Sequence, residues 1–231
     1  MFQPSQRPRP LKDQVIKTKY GECTVKGRLG QRHADLLEAI LFCAEKRREI
    51  NDGGIELLVD PAQVRKVLSD SRYSYEQIEK LLVELRTATI TIRANQFDFP
   101  IIGGLIDHVI PSQMTRYDPM TKGERNLWRV RLGIALVTLL ENDLSLYYKP
   151  APLARLKHGV SQAVARHVLT HKHAPAGGWH LDTLIEAVCG DNPSSKQMRN
   201  ARTRIKEDRE GLSDLGINID EKNRVERAAS A

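Results

Sequence analysis

The segment Lys196–Lys206 holds five basic residues, Lys196, Arg199, Arg202, Arg204 and Lys206, and no acidic one. At about 100° per residue, Lys196, Arg199, Asn200, Thr203 and Lys206 share one helical face, opposite an apolar stripe of Met198, Ala201, Ile205 and Leu212. Arginine and asparagine make paired hydrogen bonds to guanine and adenine edges, while lysine and threonine suit phosphates or single contacts. Surface helices ordinarily intersperse their charges, so an acid-free run of this length points to a polyanion, and to duplex DNA in particular. Arg202 belongs to the same candidate DNA-binding set, as do Lys222 and Arg224 in a following hairpin. Arg65 and Lys66 form a separate group fit for backbone phosphates.

Other chemistries lack their residues. His167 and His171 stand one helical turn apart, among His158, His173 and His180. A structural metal site needs about four ligands, and Asp182 and Cys189 follow a Gly/Pro turn in no ligand spacing. Basic groups favouring a helix C-terminus are the stronger account. His171-Lys172-His173, with Tyr147 or Tyr148 as nucleophile, has the outline of a rolling-circle nickase site. That motif needs a bulky apolar middle residue on a strand, and here the middle is lysine at a helix end. No GxxxxGK[ST] loop is present. The expectation is a non-enzymatic protein without catalytic residues, metal or cofactor.

Composition sets the frame. The 231 residues carry 36 Lys+Arg against 29 Asp+Glu, a net charge of +7, enough chain for one large domain or two small ones. Only 5% of residues are aromatic, which tells against a stacking platform for single strands. No apolar run reaches about 18 residues, so no membrane span or membrane partner is expected. The opening MFQPSQRPRPLKD has Pro and Arg where a signal peptide needs an apolar stretch. Cys23, Cys43 and Cys189 are odd in number and widely spaced, the pattern of reduced, buried thiols in a cytoplasmic protein.

The elements that must position the basic face follow from periodicity and turn residues. Residues 1–12 read as a disordered basic tail, and Val15–Leu29 as a hairpin. Gln31–Arg48 reads as a helix, Ile55–Val59 as a strand, and Asp60-Pro61 as the cap and first position of a short helix through Leu68. Ser74 and Gln77 form a capping box for a helix over 75–86, whose outward face carries Glu76, Glu79, Lys80, Val83 and Glu84. Strands are expected at 87–93, 101–110 and 127–132 around a loop over 117–126, then a helix over 133–141 and a strand over Leu144–Lys149. Past Pro150-Ala151-Pro152 the order repeats: helices over 153–156 and 160–171, a short helix over 180–188, a helix from Ser194/Ser195 to about Leu212, and a small hairpin over 217–225. The fold class read from this order is α+β, with two tandem winged helix-turn-helix domains at 13–149 and 150–231. The acidic helix of the first would be repelled by phosphates, so the second domain is the expected reader.

The stretch Leu156-Lys157-His158-Gly159-Val160, then Trp179-His180-Leu181-Asp182-Thr183-Leu184, Val188-Cys189-Gly190-Asp191 and the basic helix after Lys196 resembles plasmid replication initiators. The similarity is to the TrfA type and, more distantly, to the broader RepA/RepE winged-helix initiators. The resemblance implies binding to repeated origin sites (iterons), help in opening an adjacent segment, and recruitment of a host initiator and replicative helicase. It also implies dimer/monomer exchange of the chain with itself, dimerisation and secondary DNA contact in the first domain, and a part in plasmid copy control. A winged-helix transcriptional repressor is the alternative, and a nicking enzyme a more remote one.

Overall fold

The computed structural model describes residues 2–18, 21–68, 73–94, 98–118, 122–141, 148–171, 173–190 and 193–228. The chain is α+β, its strands paired antiparallel within three sheets among these residues. It forms two compact units: residues 9–29 and 36–144 in the first, and 2–8, 30–35 and 145–231 in the second. The division falls at 144/145 where a boundary at 149/150 was expected, and the second unit also takes two N-terminal segments. The strand expected at Leu144–Lys149 lies mostly outside the described residues.

In the first unit β1 (Leu11–Thr18) and β2 (Gly21–Gly27) form the expected hairpin, followed by α1 (Gln31–Phe42). Where a helix through Arg48 was predicted, α1 ends at Phe42 and Ala44–Glu49 is a strand, β3, paired with β4 (Ile55–Val59). The cause is that Ala44–Glu49 is almost wholly charged. It offers no apolar stripe to extend the buried face of Leu36, Leu37 and Ile40, whereas its backbone can pair along a sheet edge.

Helix α2 (Pro61–Leu68) starts at Asp60, whose carboxylate accepts the Ala62 N–H at 2.9 Å, and α3 (Tyr75–Thr87) has the full Ser74/Gln77 capping box. Strands β5 (Thr89–Arg93), β6 (Ile101–Gly103), β7 (Ile106–Asp118) and β8 (Gly123–Leu132) then complete two sheets, and α4 (Ile134–Glu141) follows. Their orders are β1-β2-β5-β6 and β3-β4-β8-β7. The predicted strand over 101–110 is broken before Ile106, and of the predicted loop over 117–126 residues 117–118 and 123–126 belong to β7 and β8. Polar cross-strand pairs extend this hairpin past the apolar run: Thr115 Oγ1 donates to Glu124 at 2.8 Å, and Arg125 meets Asp118 at 3.3 Å. Buried Asp60 takes the Arg125 fork at 3.0 and 2.8 Å and Arg116 at 3.3 Å, tying the α2 N-terminus to that hairpin. Burial alone raises this carboxyl, but the Arg125 and Ala62 bonds and the charges of Arg125 and Arg116 outweigh it, holding it below its ordinary range.

The second unit comprises α5 (Pro150–Ala154), α6 (Gly159–Thr170), β9 (Trp179–His180), α7 (Leu181–Cys189), α8 (Ser195–Glu207), α9 (Arg209–Asp214), β10 (Ile217–Ile219) and β11 (Arg224–Arg227). Leu153, Val164, Leu181, Leu184, Ile205 and Val225 anchor one core, with Trp179 and Met198 packed against it. Gly216, at φ +73°, lets the chain turn from α9 into β10.

Residues 2–8, expected to be disordered, pack in this unit. Ser5 O accepts the Gln31 N–H at 2.9 Å, Gln31 Nε2 donates to Gln3 O at 3.0 Å, and Gln6 Nε2 to Lys157 O at 3.0 Å. Composition hides this order because the segment contributes carbonyls to a donor left unpaired at the start of α1, not apolar area. The same first turn is held by buried Asp35, which takes Arg166 at 2.6 Å and Gln162 at 3.1 Å.

Candidate nucleic-acid interface

Helix α8 begins with a capping box. Gln197 N–H donates to Ser194 Oγ at 3.3 Å, and Ser194 N–H to Gln197 Oε1 at 2.7 Å. The box satisfies two backbone donors and fixes where the helix starts. Ala201 and Ile205 are buried and Met198 half-buried, so the opposite face is presented outward. Lys196, Arg199, Asn200, Thr203, Arg204 and Lys206 are all exposed. Among the described residues, the side chains of Lys196, Arg199, Asn200 and Lys206 have no hydrogen-bond or ion-pair partner, while Thr203 Oγ1 donates back to Arg199 O at 3.1 Å. Lys196, Arg199 and Asn200 stand in the first turns of α8, where groove contact requires free groups, and Lys206 in its last turn.

Arg202 is different. Its guanidinium makes a two-point bond to Asp182 on α7, both contacts at 2.7 Å. That bond leads the causes holding the Asp182 carboxyl below its ordinary range. Arg202 therefore locks α8 to α7 and is not available as a free reading group.

The predicted helix to Leu212 breaks after Glu207, which sequence reasoning missed. Asp208 is buried, leaves helical geometry at φ −99° and ψ 11°, and accepts the backbone N–H groups of Lys157 and His158 at 2.9 Å each. Next to it His158 Nε2 meets Glu207 at 2.6 Å. Asp208 thus ends α8 and starts α9 through its backbone, while its carboxylate holds the residues that lead into α6. The signal was present, since Asp-Arg-Glu is a helix-start pattern inside a longer apolar periodicity.

The hairpin after α9 holds Lys222 and Arg224, both exposed. Its turn closes through Asp220 Oδ1, which accepts the Arg224 N–H at 2.7 Å, with Asn223 at φ +58°. Asp220 and Glu221 precede Lys222, so the tip is balanced in charge and less basic than α8. Strand β9, not anticipated from two residues, pairs with β11 as the third strand of this sheet.

In the first unit Arg65 lies 4.8 Å from the Tyr75 ring centroid and packs α2 on α3, while Lys66 stays exposed. Glu76, Glu79, Lys80 and Val83 are exposed on α3, and Glu84 meets Arg28 at 3.6 Å. The histidines gather at the end of α6: the His167 and His171 rings lie 4.6 Å apart, and His171 meets Trp179 edge-on. Burial, then the charge of His171, holds His167 below its ordinary value. Of the thiols Cys23 is buried, Cys43 is half-buried and pushed up to about 11, and Cys189 is exposed at the end of α7, against the expectation of burial. No helix among the described residues is long and apolar enough to cross a membrane.

No family model matches the chain, and no curated protein matches it. Two crystal structures do. That of RctB domains 2–3, spanning RctB residues 155–483, is 8% identical with a TM-score of 0.58, covering 94% of this chain and 84% of that one. That of selenomethionine derivatives of RctB domains 2 and 3 is 9% identical with a TM-score of 0.59, covering 97% and 91%. At this identity the likeness is one of fold.

Proposed function

We propose that the chain is a sequence-specific duplex-DNA-binding replication initiator that reads DNA with α8. The observation that carries this reading is the exposed face of Lys196, Arg199, Asn200 and Lys206, unpaired among the described residues and held by a capped, buried-backed helix. The fold likeness to RctB domains 2 and 3 stands beside it. We read each unit as a winged helix; in the second, the order α6, β9, α7, α8, α9, β10, β11 supports that reading, with Lys222 and Arg224 in the hairpin that follows. The finer parts belong to the same proposal: repeated origin sites, plasmid replication, recruitment of a host initiator and helicase, exchange between dimer and monomer, a cytoplasmic location, and no catalytic step.

The test is a footprint on the DNA flanking the chain's own gene, followed by maintenance of an origin plasmid that lacks its initiator. Arg199→Ala should weaken the specific site by about 1–3 kcal/mol and relax its sequence preference. An unchanged footprint would show that the reading face is wrong. A footprint without plasmid maintenance would favour a repressor over an initiator.

A further inference from the structure

We infer that the first unit carries a phosphate-binding surface of its own, on the open face of the sheet β3-β4-β8-β7 and not on its helices. This rests on the duplex-DNA reading above. The register sets Lys46, Leu58, Arg129 and Ile110 in one row across the sheet, and Arg48, Glu56, Arg131 and His108 in the next. Directly opposed residues share a face. The other face is core, with Ile55, Leu57, Val59 and Val130 all buried. The open face therefore presents a cation in both rows of β3 and both rows of β8.

These cations are not equivalent. Arg129 is spent on Glu56 at 3.2 Å, and Arg131 on Asp52 and on Asp107, the latter at 3.5 Å. Lys46 and Arg48 are exposed, and among the described residues their side chains have no ion-pair or hydrogen-bond partner. Two residues apart on one strand, they stand about 7 Å from each other on the same side. The third cation of β3, Arg47, points to the opposite side and meets Glu49 at 3.4 Å. Two unneutralised cations beside two guanidinium groups on one sheet face fit successive phosphates of a duplex backbone, a contact that positions without reading bases. Helix α3 cannot do this, since its exposed face sets Glu76 and Glu79 against Lys80. Sequence reading missed the surface because Lys46–Arg48 was placed in a helix, where alternate residues do not share a face.

The experiment uses the full chain with Lys46→Gln and Arg48→Gln combined, and Lys80→Gln as a control. Affinity for the footprinted fragment and for a random duplex is measured from 50 to 200 mM salt, with thermal melting to confirm folding. Loss of two phosphate contacts lowers the slope of log affinity against log salt by about 1.8, so the fall in affinity over that range shrinks about twelvefold. The effect should be equal on both DNAs, and the control should match the wild type. An unchanged slope in the double variant, with Arg199→Ala still erasing the specific footprint, overturns the surface and leaves the α8 reading intact. An unchanged slope with new self-association also overturns it, because these charges then only guard a sheet edge. If the wild type binds no duplex at all, the α8 reading fails and takes this surface with it.

Discussion

Replacing Asp208 by alanine tests how the reading helix is held. The carboxylate is buried and accepts two backbone N–H groups at 2.9 Å, from Lys157 and His158. A hydrogen bond to a charged group contributes about 1.5–3 kcal/mol net, so two fully dry bonds would be worth about twice that. Lys157 is exposed and His158 half-buried, so water recovers part of what the freed donors lose. The expected cost of Asp208→Ala is therefore about 2–3 kcal/mol. Asp208→Asn, which keeps one acceptor oxygen, should lose about half of that. The chain has two tryptophans, Trp128 in the first unit and Trp179 in the second. A Trp128→Phe background thus makes urea unfolding followed by fluorescence report the second unit alone. With a slope of about 1.5 kcal/mol per molar, the midpoint should fall by about 1.3–2 M. A shift below about 0.4 M for Asp208→Ala would refute the reasoning. So would an asparagine variant as damaged as the alanine one, because charge and not acceptor count would then dominate.

Asp182→Asn should free the Arg202 guanidinium from its two-point bond; affinity for all duplexes should rise and the salt slope steepen by about one unit in a titration series. Ser194→Ala removes one half of the α8 cap and should cost about 1 kcal/mol in denaturant unfolding, with a glycine at that position recovering most of the loss. The Asp60 carboxyl sits below its unfolded value of about 3.9. As pH falls, the unfolded chain takes up that proton first, so Asp60 contributes full stability above about pH 4 and loses it as pH drops through the folded value. Melting of the first unit, followed at Trp128, should decline steeply below pH 4 in the wild type and more gently in Asp60→Asn. For His167, held low by burial, the unfolded chain again binds the proton first. Melting followed at Trp179 should therefore decline as pH falls through about 6.5, and a flat profile there would count against its burial.

Local signals carried well where a single segment decides its own geometry. The capping box at Ser74/Gln77, the Asp60-Pro61 start and the outward basic face of α8 each depend on neighbours within one or two turns, and each appears as read. Misreadings came where a distant partner overrode a local pattern. Ala44–Glu49 became a strand because β4 offered an edge to pair with, and the helix after Ser194 broke at Asp208, whose carboxylate is taken by the backbone N–H groups of Lys157 and His158, fifty residues earlier. Residues 2–8 became ordered through carbonyls that accept from Gln31 and a Gln6 amide that donates to the Lys157 carbonyl.

The amino-acid order alone determined the charge asymmetry. One helix is acid-free over eleven residues, and the corresponding helix of the first unit carries Glu76, Glu79 and Glu84. That asymmetry is a property of residue types at a 3.6-residue period and needs no tertiary partner to exist. Tertiary structure decided which of those charges are available. Arg202 is spent on Asp182, Arg65 on Tyr75 and Arg129 on Glu56, whereas Lys46 and Arg48 come to share an open sheet face. The reason is electrostatic and geometric at once: a cation's value to a polyanion depends on whether an acid lies within bonding distance, and that distance is set by packing between segments far apart in the chain.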